Sequence, residues 1–228
     1  MGSVIALGAL KGGVGKSTLA VNVACALAGS LHVELIDADE QGTAVAWSQG
    51  AETSAAFPVE VHALPASEQT DPRAWLDAVL ARRDAVDVLV LDLPPQLGGV
   101  ARAALAVADL LVVPVTASGV DLASTARVLE LVREAREARG DGRPRCLLVP
   151  SRVDRRTAAG REIEAVLHDL DEPVGPAVGQ RSAHVDAFTS RQWIGSFAPR
   201  SAAHVEIEAL SAVVRRSVQR GKAASPKR

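Results

Sequence analysis

The stretch "LGALKGGVGKSTLAVNVACALA", residues 7–28, decides the fold of this chain. It runs from the end of an apolar segment, through a turn with glycines at 12, 13 and 15, into a pattern typical of a helix. Glycines let the backbone turn tightly and bring successive N–H groups against phosphate oxygens, and the start of a helix adds partial positive charge. Lys16 can add a full charge to the β- and γ-phosphates, and the Ser17 hydroxyl can bind Mg²⁺. The stretch therefore predicts a phosphate-binding loop between a strand and a helix.

Outside this stretch, short apolar runs alternate with longer helical patterns. The predicted strands are "SVIALGAL", "HVELID", "VEVHAL", "VDVLVLDL", "DLLVVPV", "CLLVPS" and the weaker "PVGPAVG". Several of these runs are apolar throughout, which is typical of parallel strands that are covered on both faces. The alternation predicts an α/β fold with a doubly wound, mainly parallel sheet of about seven strands and helices on both faces.

The composition favours one cytoplasmic domain. A chain of 228 residues is long enough to bury a continuous core, and its net charge of −2 still allows a local basic surface. The two cysteines, Cys25 and Cys146, lack the spacing of metal ligands, and no apolar stretch approaches the about 20 residues of a membrane span. We expect a single domain over residues 1–220, a basic and mobile tail over residues 221–228, and no contact with a membrane.

Three acidic residues follow predicted strands. Asp37 and Asp39 come after "HVELI", and Asp92 ends the run "VDVLVLD". The carboxyl ends of parallel strands meet at one edge of a sheet, so these side chains are expected beside the phosphate-binding loop. There, one carboxylate can hold Mg²⁺ through water and another can orient an attacking water molecule.

The loop also carries a second lysine, Lys11, five residues before Lys16, while Leu10 stands where the usual phosphate loop has its first glycine. In both respects "KGGVGKST" resembles the deviant Walker A box of the ParA/MinD superfamily. "IDADEQGTAVAW" and "LPPQLGG" resemble the two switch regions of that superfamily, with Glu40 at a position where proline is usual. "SRVDRRTAAGREIEAVL" and "GQRSAHVDAFTSRQWI" resemble two of its later segments, so the resemblance extends over nearly the whole chain.

The resemblance implies an ATPase of the P-loop fold whose cofactors are ATP and Mg²⁺. Lys11 would reach the nucleotide of a second subunit in an ATP-dependent homodimer, and would be catalytic together with Lys16. Asp39 would orient the attacking water, and the metal would be held by Ser17, Asp37 and Asp92. The implied nucleotide-binding residues are Lys11, Gly12, Gly13, Val14, Gly15, Lys16, Ser17 and Thr18.

Within the superfamily, the chain is most similar to the small ParA-type, ParF-like partition ATPases. It lacks cysteines between the switch regions, has no tyrosine, and has no amphipathic membrane helix in its last residues, all of which mark other branches. The resemblance implies an ATP dimer that binds DNA nonspecifically on the nucleoid, a ParB-type adaptor that stimulates hydrolysis, and a cargo such as a plasmid or chromosome region. The arginines expected to bind DNA are Arg156, Arg181, Arg191, Arg215 and Arg216. An alternative is a same-fold ATPase that regulates protein assembly or polysaccharide synthesis without binding DNA.

Overall fold

Six parallel strands form the centre of the structure, a computed structural model that describes residues 1–50, 53, 55–96 and 98–223. The strands are β1 (Ser3–Leu7), β2 (Val33–Asp37), β3 (Glu60–Ala63), β4 (Val88–Asp92), β5 (Leu110–Val115) and β6 (Arg145–Pro150). Their order across the sheet is β3-β2-β4-β1-β5-β6, and every neighbouring pair is parallel. The predicted doubly wound α/β fold is therefore confirmed.

Helices connect and follow the strands. They are α1 (Lys16–Ala28), α2 (Thr43–Ser48), α3 (Pro72–Arg83), α4 (Gly99–Val107), α5 (Gly119–Arg139), α6 (Ala158–His168), α7 (Ser182–Thr189), α8 (Ile194–Phe197) and α9 (Ala202–Ala223). Helix α5 ends at Gly140, which adopts the left-handed conformation (φ 66°) that glycine favours at such a position. The longer helical patterns between and after the predicted strands correspond to α1, α3, α4, α5, α6 and α9. Helices α2, α7 and α8 were not predicted, because segments this short show little helical periodicity.

The sheet is covered on both faces by separate apolar layers. Alternate residues of a strand point to opposite faces, so Ile5 and Leu7 of β1 join one apolar cluster while Val4 and Ala6 join the other. The first cluster contains residues of α1 and α9, and the second contains residues of α3, α4, α5 and α6. Two helical layers therefore leave the ends of the strands as the part of the sheet that can meet a ligand.

The register of the three central strands brings acidic and loop residues to one edge. Asp92 at the end of β4 pairs with Leu7 of β1 on one side and with Asp37 of β2 on the other. The phosphate-binding loop leaves β1 just beyond Leu7, so the loop and both aspartates start from the same level of the sheet. This register is the structural basis of the candidate site.

The predicted seventh strand, "PVGPAVG" at residues 173–179, is not a strand in the described structure. The segment instead forms two isolated parallel bridges, between Leu148 and Val174 and between Val153 and Gly179. Pro176 lies between these bridges and has no backbone N–H to continue the ladder. The sheet of the described residues therefore has six strands, one fewer than the number predicted.

The last helix runs into the predicted tail. Helix α9 ends at Ala223, so the helix includes residues 221–223, while residues 224–228 lie outside the described residues. None of the helices in the described ranges is long and apolar enough to cross a membrane.

Candidate functional site

The loop between β1 and α1 has the geometry of an anion-binding turn. Gly13 and Gly15 have positive φ values of 77° and 97°, which other residues rarely adopt. A Cβ atom at Gly15 would also lie 2.9 Å from the Ser151 hydroxyl, so space as well as conformation requires glycine there. Helix α1 begins directly after this turn, with Lys16 as its first residue. The strand, loop and helix therefore follow one another as the sequence predicts.

A second loop, at the end of β6, supports the phosphate-binding loop. The Ser151 hydroxyl donates to the Val14 carbonyl at 2.7 Å, and the Arg152 guanidinium donates to the Gly13 carbonyl at 2.6 Å. No described residue accepts a hydrogen bond from the backbone N–H groups of residues 12–18. The Gly13 and Val14 carbonyl groups thus accept from protein donors, whereas the N–H groups of the turn are available to a phosphate.

Lys16 is the buried cation of the loop. Its side chain is 5% exposed, and its Nζ lies 3.9 Å from Asp39 Oδ2. The two groups face each other at one end of a cavity of about 1170 Å³ that is also lined by Ser17 and Thr18. A buried lysine beside N–H groups without protein acceptors is suited to hold a polyanion, and Asp39 is the acidic residue that faces the Lys16 ammonium.

Asp92 is the buried anion of the site. It is completely buried at the end of β4, and neither carboxylate oxygen makes a hydrogen bond of standard geometry with the described residues, although the Ser17 hydroxyl lies close enough to interact with it. Burial raises the pKa of Asp92 to about 7, although the neighbouring Ser17 hydroxyl and the Lys16 charge both act to lower it. A carboxylate left in this state fits a hydrated Mg²⁺, because that ion takes oxygen ligands and usually keeps several water molecules.

Asp37 holds the first switch region in place. Its carboxylate accepts hydrogen bonds from the N–H groups of Asp39, Ala44 and Val45, the last two lying in the first turn of α2. Burial raises the pKa of Asp37, and these three backbone hydrogen bonds act in the opposite direction. Sequence reasoning missed this capping role, because α2 itself was not predicted. The metal-binding role of Asp37 stays a prediction.

Local hydrogen bonds define the turn between Asp37 and α2, in which Glu40 stands at the position where the resemblance leads one to expect proline. Asp39 Oδ1 accepts from the Gln41 N–H at 3.0 Å, and the Asp39 carbonyl accepts from the Gly42 N–H at 2.9 Å. Gly42 has a positive φ of 59° and precedes the first residue of α2. Glu40 is exposed at the tip of this turn. Local hydrogen bonds and a glycine therefore define the switch where a proline would otherwise restrict it.

Lys11 lies apart from the other loop residues that carry charge. Its Nζ is 2.8 Å from Asp121 Oδ1, at the start of α5, and both residues line a small separate cavity. Among the described residues, the large cavity is lined by Lys16 and not by Lys11. The two lysines of the loop thus face different carboxylates of the chain: Lys11 faces Asp121, and Lys16 faces Asp39.

The far end of the large cavity lies beyond the phosphate-binding loop. It is lined by residues that follow β6, by the segment before α7 and by α7 itself, including Val153, Val178 and His184. The ring nitrogens of His184 have no partner within the described ranges, and burial lowers the pKa of this histidine, which favours the neutral ring. Sequence reasoning did not single out His184, although the residue lies within the segment "GQRSAHVDAFTSRQWI".

The arginines predicted to bind DNA are not gathered into one free cluster. Arg156 pairs with Asp154, Arg181 pairs with Glu206, and Arg191 donates to the Ala46 carbonyl. Arg156 and Arg181 line the rim of the large cavity, whereas Arg215 and Arg216 lie on α9. Arg216 is exposed and Arg215 is half-buried, and neither makes an ion pair in the described part of the chain.

Comparison with known proteins agrees with this geometry. Residues 5–190 match the family of the CobQ/CobB/MinD/ParA nucleotide binding domain. The chain is 30% identical over 173 residues to the maintenance of carboxysome distribution protein A of Halothiobacillus neapolitanus, covering 75% of this chain and 76% of the relative. It is 34% identical over 188 residues to the chromosome-partitioning ATPase Soj of Thermus thermophilus, covering 72% and 74%.

The fold is similar to that of the septum site-determining protein MinD from Pyrococcus horikoshii, which was solved in complex with Mg-ADP. The two share a TM-score of 0.77 at 16% identity, over 97% of this chain and 99% of that one. The sequence matches and the strand, loop and helix geometry lead to the same conclusion. The chain belongs to the CobQ/CobB/MinD/ParA nucleotide-binding domain family, within the ParA/MinD superfamily of P-loop ATPases.

Proposed function

We propose that the chain is a Mg²⁺-dependent ATPase that dimerises around ATP and positions a cargo on nonspecific DNA. The observation that carries the ATPase part is the buried Asp92 carboxylate, which makes no hydrogen bond of standard geometry with the described residues and lies beside Lys16 and Ser17. An ionised carboxylate that is buried without hydrogen bonds of standard geometry is costly, and a hydrated cation beside it would reduce that cost.

The chain's own residues account for nucleotide binding at the loop. The N–H groups of residues 12–18 are available to phosphate oxygens, and Lys16 lies among them with its charge directed into the cavity. Ser17 and Asp92 would hold the metal, with Asp37 behind them as its predicted outer ligand. When bound, Mg²⁺ supplies positive charge that neutralises the phosphates during transfer.

Hydrolysis requires a group that orients water, and Asp39 is our candidate. Its carboxylate lies at the phosphate end of the cavity, 3.9 Å from the Lys16 ammonium. Once Lys16 binds phosphate instead, Asp39 Oδ2 becomes available to accept a hydrogen bond from a water molecule. The hydrogen bond from the Gln41 N–H to Asp39 Oδ1 would keep the carboxylate oriented through this exchange.

A second subunit explains the second lysine. Lys11 is 46% exposed and lies outside the cavity of its own chain, so its ammonium can serve a nucleotide only from another direction. A face-to-face dimer that sandwiches two ATP molecules would supply that direction. Catalysis would then depend on assembly, because each site obtains its second cation from the partner.

DNA binding and cargo positioning are the second part of the proposal, beyond the ATPase activity. The names of the two relatives describe the distribution of carboxysomes and the partitioning of chromosomes. Arg156, Arg181, Arg191, Arg215 and Arg216 are the arginines we assign to DNA phosphates. Contacts of this kind would be salt-sensitive and indifferent to sequence. A ParB-type adaptor would stimulate hydrolysis and release the dimer from DNA.

The proposal is tested by measuring DNA binding of the purified protein with ATP, ADP or no nucleotide. Two salt concentrations and two unrelated DNA sequences are needed, together with phosphate release in the same samples. We expect binding only with ATP, equal on both sequences and weaker at the higher salt concentration. Binding that is equal in all nucleotide states would contradict the proposed coupling of DNA binding to the ATP dimer.

A second function, an ATPase that regulates protein assembly or polysaccharide synthesis without DNA, is favoured by one observation. Arg156, Arg181 and Arg191 already have protein partners, so they reach a phosphate only after exchanging those partners. ATP-driven dimerisation and phosphate release without DNA binding in any nucleotide state would select this second function.

A further inference from the structure

A cluster of acidic and histidine side chains lies at one edge of the sheet. Glu34 of β2 pairs with Glu60 of β3, and Ile36 pairs with His62 in the same register. Because alternate residues of a strand share a face, Glu34, Glu60 and His62 point to the same face of these two strands. Strand β3 is the outermost strand in the sheet order, and the residues described as lining the large cavity include none of the three. The cluster is therefore separate from the site assigned to ATP and Mg²⁺.

The three side chains have the spacing of metal ligands. His62 Nε2 lies 3.0 Å from Glu34 Oε2 and 3.6 Å from Glu60 Oε1, and one ligand atom of each residue lies within 4.8 Å of the others. Ligand atoms at about 2 Å from a tetrahedral Zn²⁺ are about 3.3 Å apart, so small side-chain movements would enclose the ion. The side chains of Glu34 and His62 are 11% and 15% exposed, whereas that of Glu60 is 72% exposed. An ion can thus enter from the side of Glu60.

Arg82, in the last turn of α3, is the cation that now faces this cluster. Its Nη1 lies 2.8 Å from His62 Nε2 and 3.2 Å from Glu34 Oε2. A guanidinium only donates hydrogen bonds, so His62 Nε2 needs a lone pair to accept from Arg82 but a hydrogen to donate to Glu34. One ring nitrogen cannot satisfy both partners, whereas Zn²⁺ takes an electron pair from the imidazole and from the carboxylate together. The Arg82 side chain is 43% exposed and can turn into solvent.

The charges and the donor atoms of the cluster favour a divalent transition metal. Glu34 and Glu60 carry two negative charges and Arg82 supplies one positive charge, so a divalent ion in place of the guanidinium would balance both carboxylates. Glu34 is nearly buried, which makes full compensation of its charge valuable. An imidazole nitrogen is a ligand for Zn²⁺, whereas Mg²⁺ prefers oxygen ligands alone.

We propose that Glu34, Glu60 and His62 form a Zn²⁺ site that ties the edge strand β3 to β2. Each residue supplies one ligand atom, water takes the fourth position, and Arg82 is displaced into solvent. Binding stabilises the folded chain, because the unfolded chain does not hold these ligands together. The site requires neither nucleotide nor a second subunit, so it does not depend on the proposed ATP dimer.

The site is tested by calorimetric titration of the nucleotide-free protein with ZnCl₂, after treatment with a chelator and its removal. Excess Mg²⁺ is present throughout to fill sites made of oxygen ligands, and the two cysteines are buried, so neither competes for the added metal. We expect one Zn²⁺ per chain and a rise in the midpoint of thermal unfolding when Zn²⁺ is added.

Four variants identify the ligands and the competing arginine. His62→Gln and Glu60→Gln should each weaken Zn²⁺ binding at least about tenfold, since the loss of even a residue that supports a metal ligand costs this much. Glu60 is exposed, so Glu60→Gln serves if His62→Gln does not fold. Arg82→Gln removes the competing guanidinium and should tighten binding about fivefold. His168→Gln, at an exposed position of α6, is the matched control and should bind Zn²⁺ like wild type.

The results divide clearly between support and contradiction. Loss of binding in His62→Gln and Glu60→Gln, together with tighter binding in Arg82→Gln, would support the site. No Zn²⁺ binding by wild type, or binding that is as tight in Glu60→Gln as in wild type, would overturn it. Binding by Arg82→Gln that is no tighter than that of wild type would also contradict the proposal, because the arginine would then not compete with the metal.

Discussion

Two regions of this molecule carry polar or charged groups that sequence reasoning assigned to ligands, the first to ATP and Mg²⁺ and the second to DNA, and the groups of these two regions differ in whether they already have partners within the chain. At the phosphate-binding loop, the Asp92 carboxylate and the N–H groups of residues 12–18 make no hydrogen bonds of standard geometry within the described chain. At the arginine-rich rim, Arg156 and Arg181 are already paired with Asp154 and Glu206. The first region is prepared for a ligand, whereas the second must exchange protein partners for one.

The difference reflects how deeply the polar groups of each region are buried. Free polar groups in the buried region are expensive, so their presence points to a ligand that completes them. The arginine pairs are more exposed: the Arg156 side chain is 90% exposed, and hydrogen bonds from it lower the pKa of Asp154 to about 2. Exposed pairs contribute little to stability and are easily exchanged. Partner exchange at the rim is therefore compatible with weak, salt-sensitive binding.

The largest effect is expected from Lys16→Ala, which tests whether the buried region is built for a triphosphate. Removing the buried ammonium should weaken ATP binding about 100-fold, or about 3 kcal/mol, since a hydrogen bond to a charged group is lost. Binding of a fluorescent ATP analogue measures the change. Lys11→Ala is the matched control, because Lys11 lies outside the large cavity of its own chain, and it should bind ATP like wild type. Equal losses in both variants would contradict the division between the two lysines.

The next largest effect is expected on the rate of ATP hydrolysis and not on ATP binding. Asp39→Ala should lower the rate of phosphate release about 100-fold while ATP binding and dimerisation remain, because in the proposed mechanism Asp39 binds the attacking water and not the triphosphate. Glu40→Ala, a change at the exposed neighbour, should leave the rate within about twofold of wild type. Phosphate release assayed at saturating ATP distinguishes these results. An Asp39→Ala protein with normal turnover would show that another group orients the water.

The buried carboxylate also makes stability depend on pH. Burial raises the pKa of Asp92 from 3.8 to about 7, so the folded state holds a proton that the unfolded chain has lost. Without Mg²⁺ and nucleotide, the stability of wild type relative to Asp92→Asn should therefore fall between pH 5 and pH 8, by about 3 kcal/mol. Urea unfolding of both proteins at the two pH values measures this difference. A difference that does not change with pH would mean that Asp92 ionises normally in the folded protein.

Much of the buried region could be predicted because its signals are local. Gly13, Gly15 and Lys16 lie within one short stretch, and Asp92 follows an unbroken apolar strand, so spacing alone placed them together. Six of the seven predicted strands are confirmed for the same reason. The failure at "PVGPAVG" arises at Pro176, where the chain runs beside β6 but lacks the N–H that a continuous ladder needs.

The features of the site that could not be predicted depend on contacts between residues that are distant in sequence. Glu206 lies 25 residues after Arg181, and Asp121 lies 110 residues after Lys11, so neither pair has a spacing that a motif could reveal. The capping role of Asp37 could not be predicted, because it depends on α2, a helix of six residues that is too short to have a recognisable helical periodicity. Sequence reasoning therefore proposed residues for phosphate but could not show which of them already have partners within the chain.

The smallest effects are expected at the rim, where the comparison of free and paired arginines can be tested directly. If DNA contacts the arginines, Arg216→Ala should lower DNA affinity a few fold and reduce the slope of log K against log salt by about 1, because one phosphate contact is lost. Glu206→Gln should act in the opposite direction, since it releases Arg181 from its bidentate partner. Arg73→Ala, at an exposed site on α3, is the control and should change neither quantity. Fluorescence anisotropy with labelled duplex DNA and ATP measures all three variants. If Glu206→Gln leaves the affinity unchanged while Arg216→Ala reduces it, DNA contacts α9 and not the cavity rim, and Arg181 serves to hold Glu206.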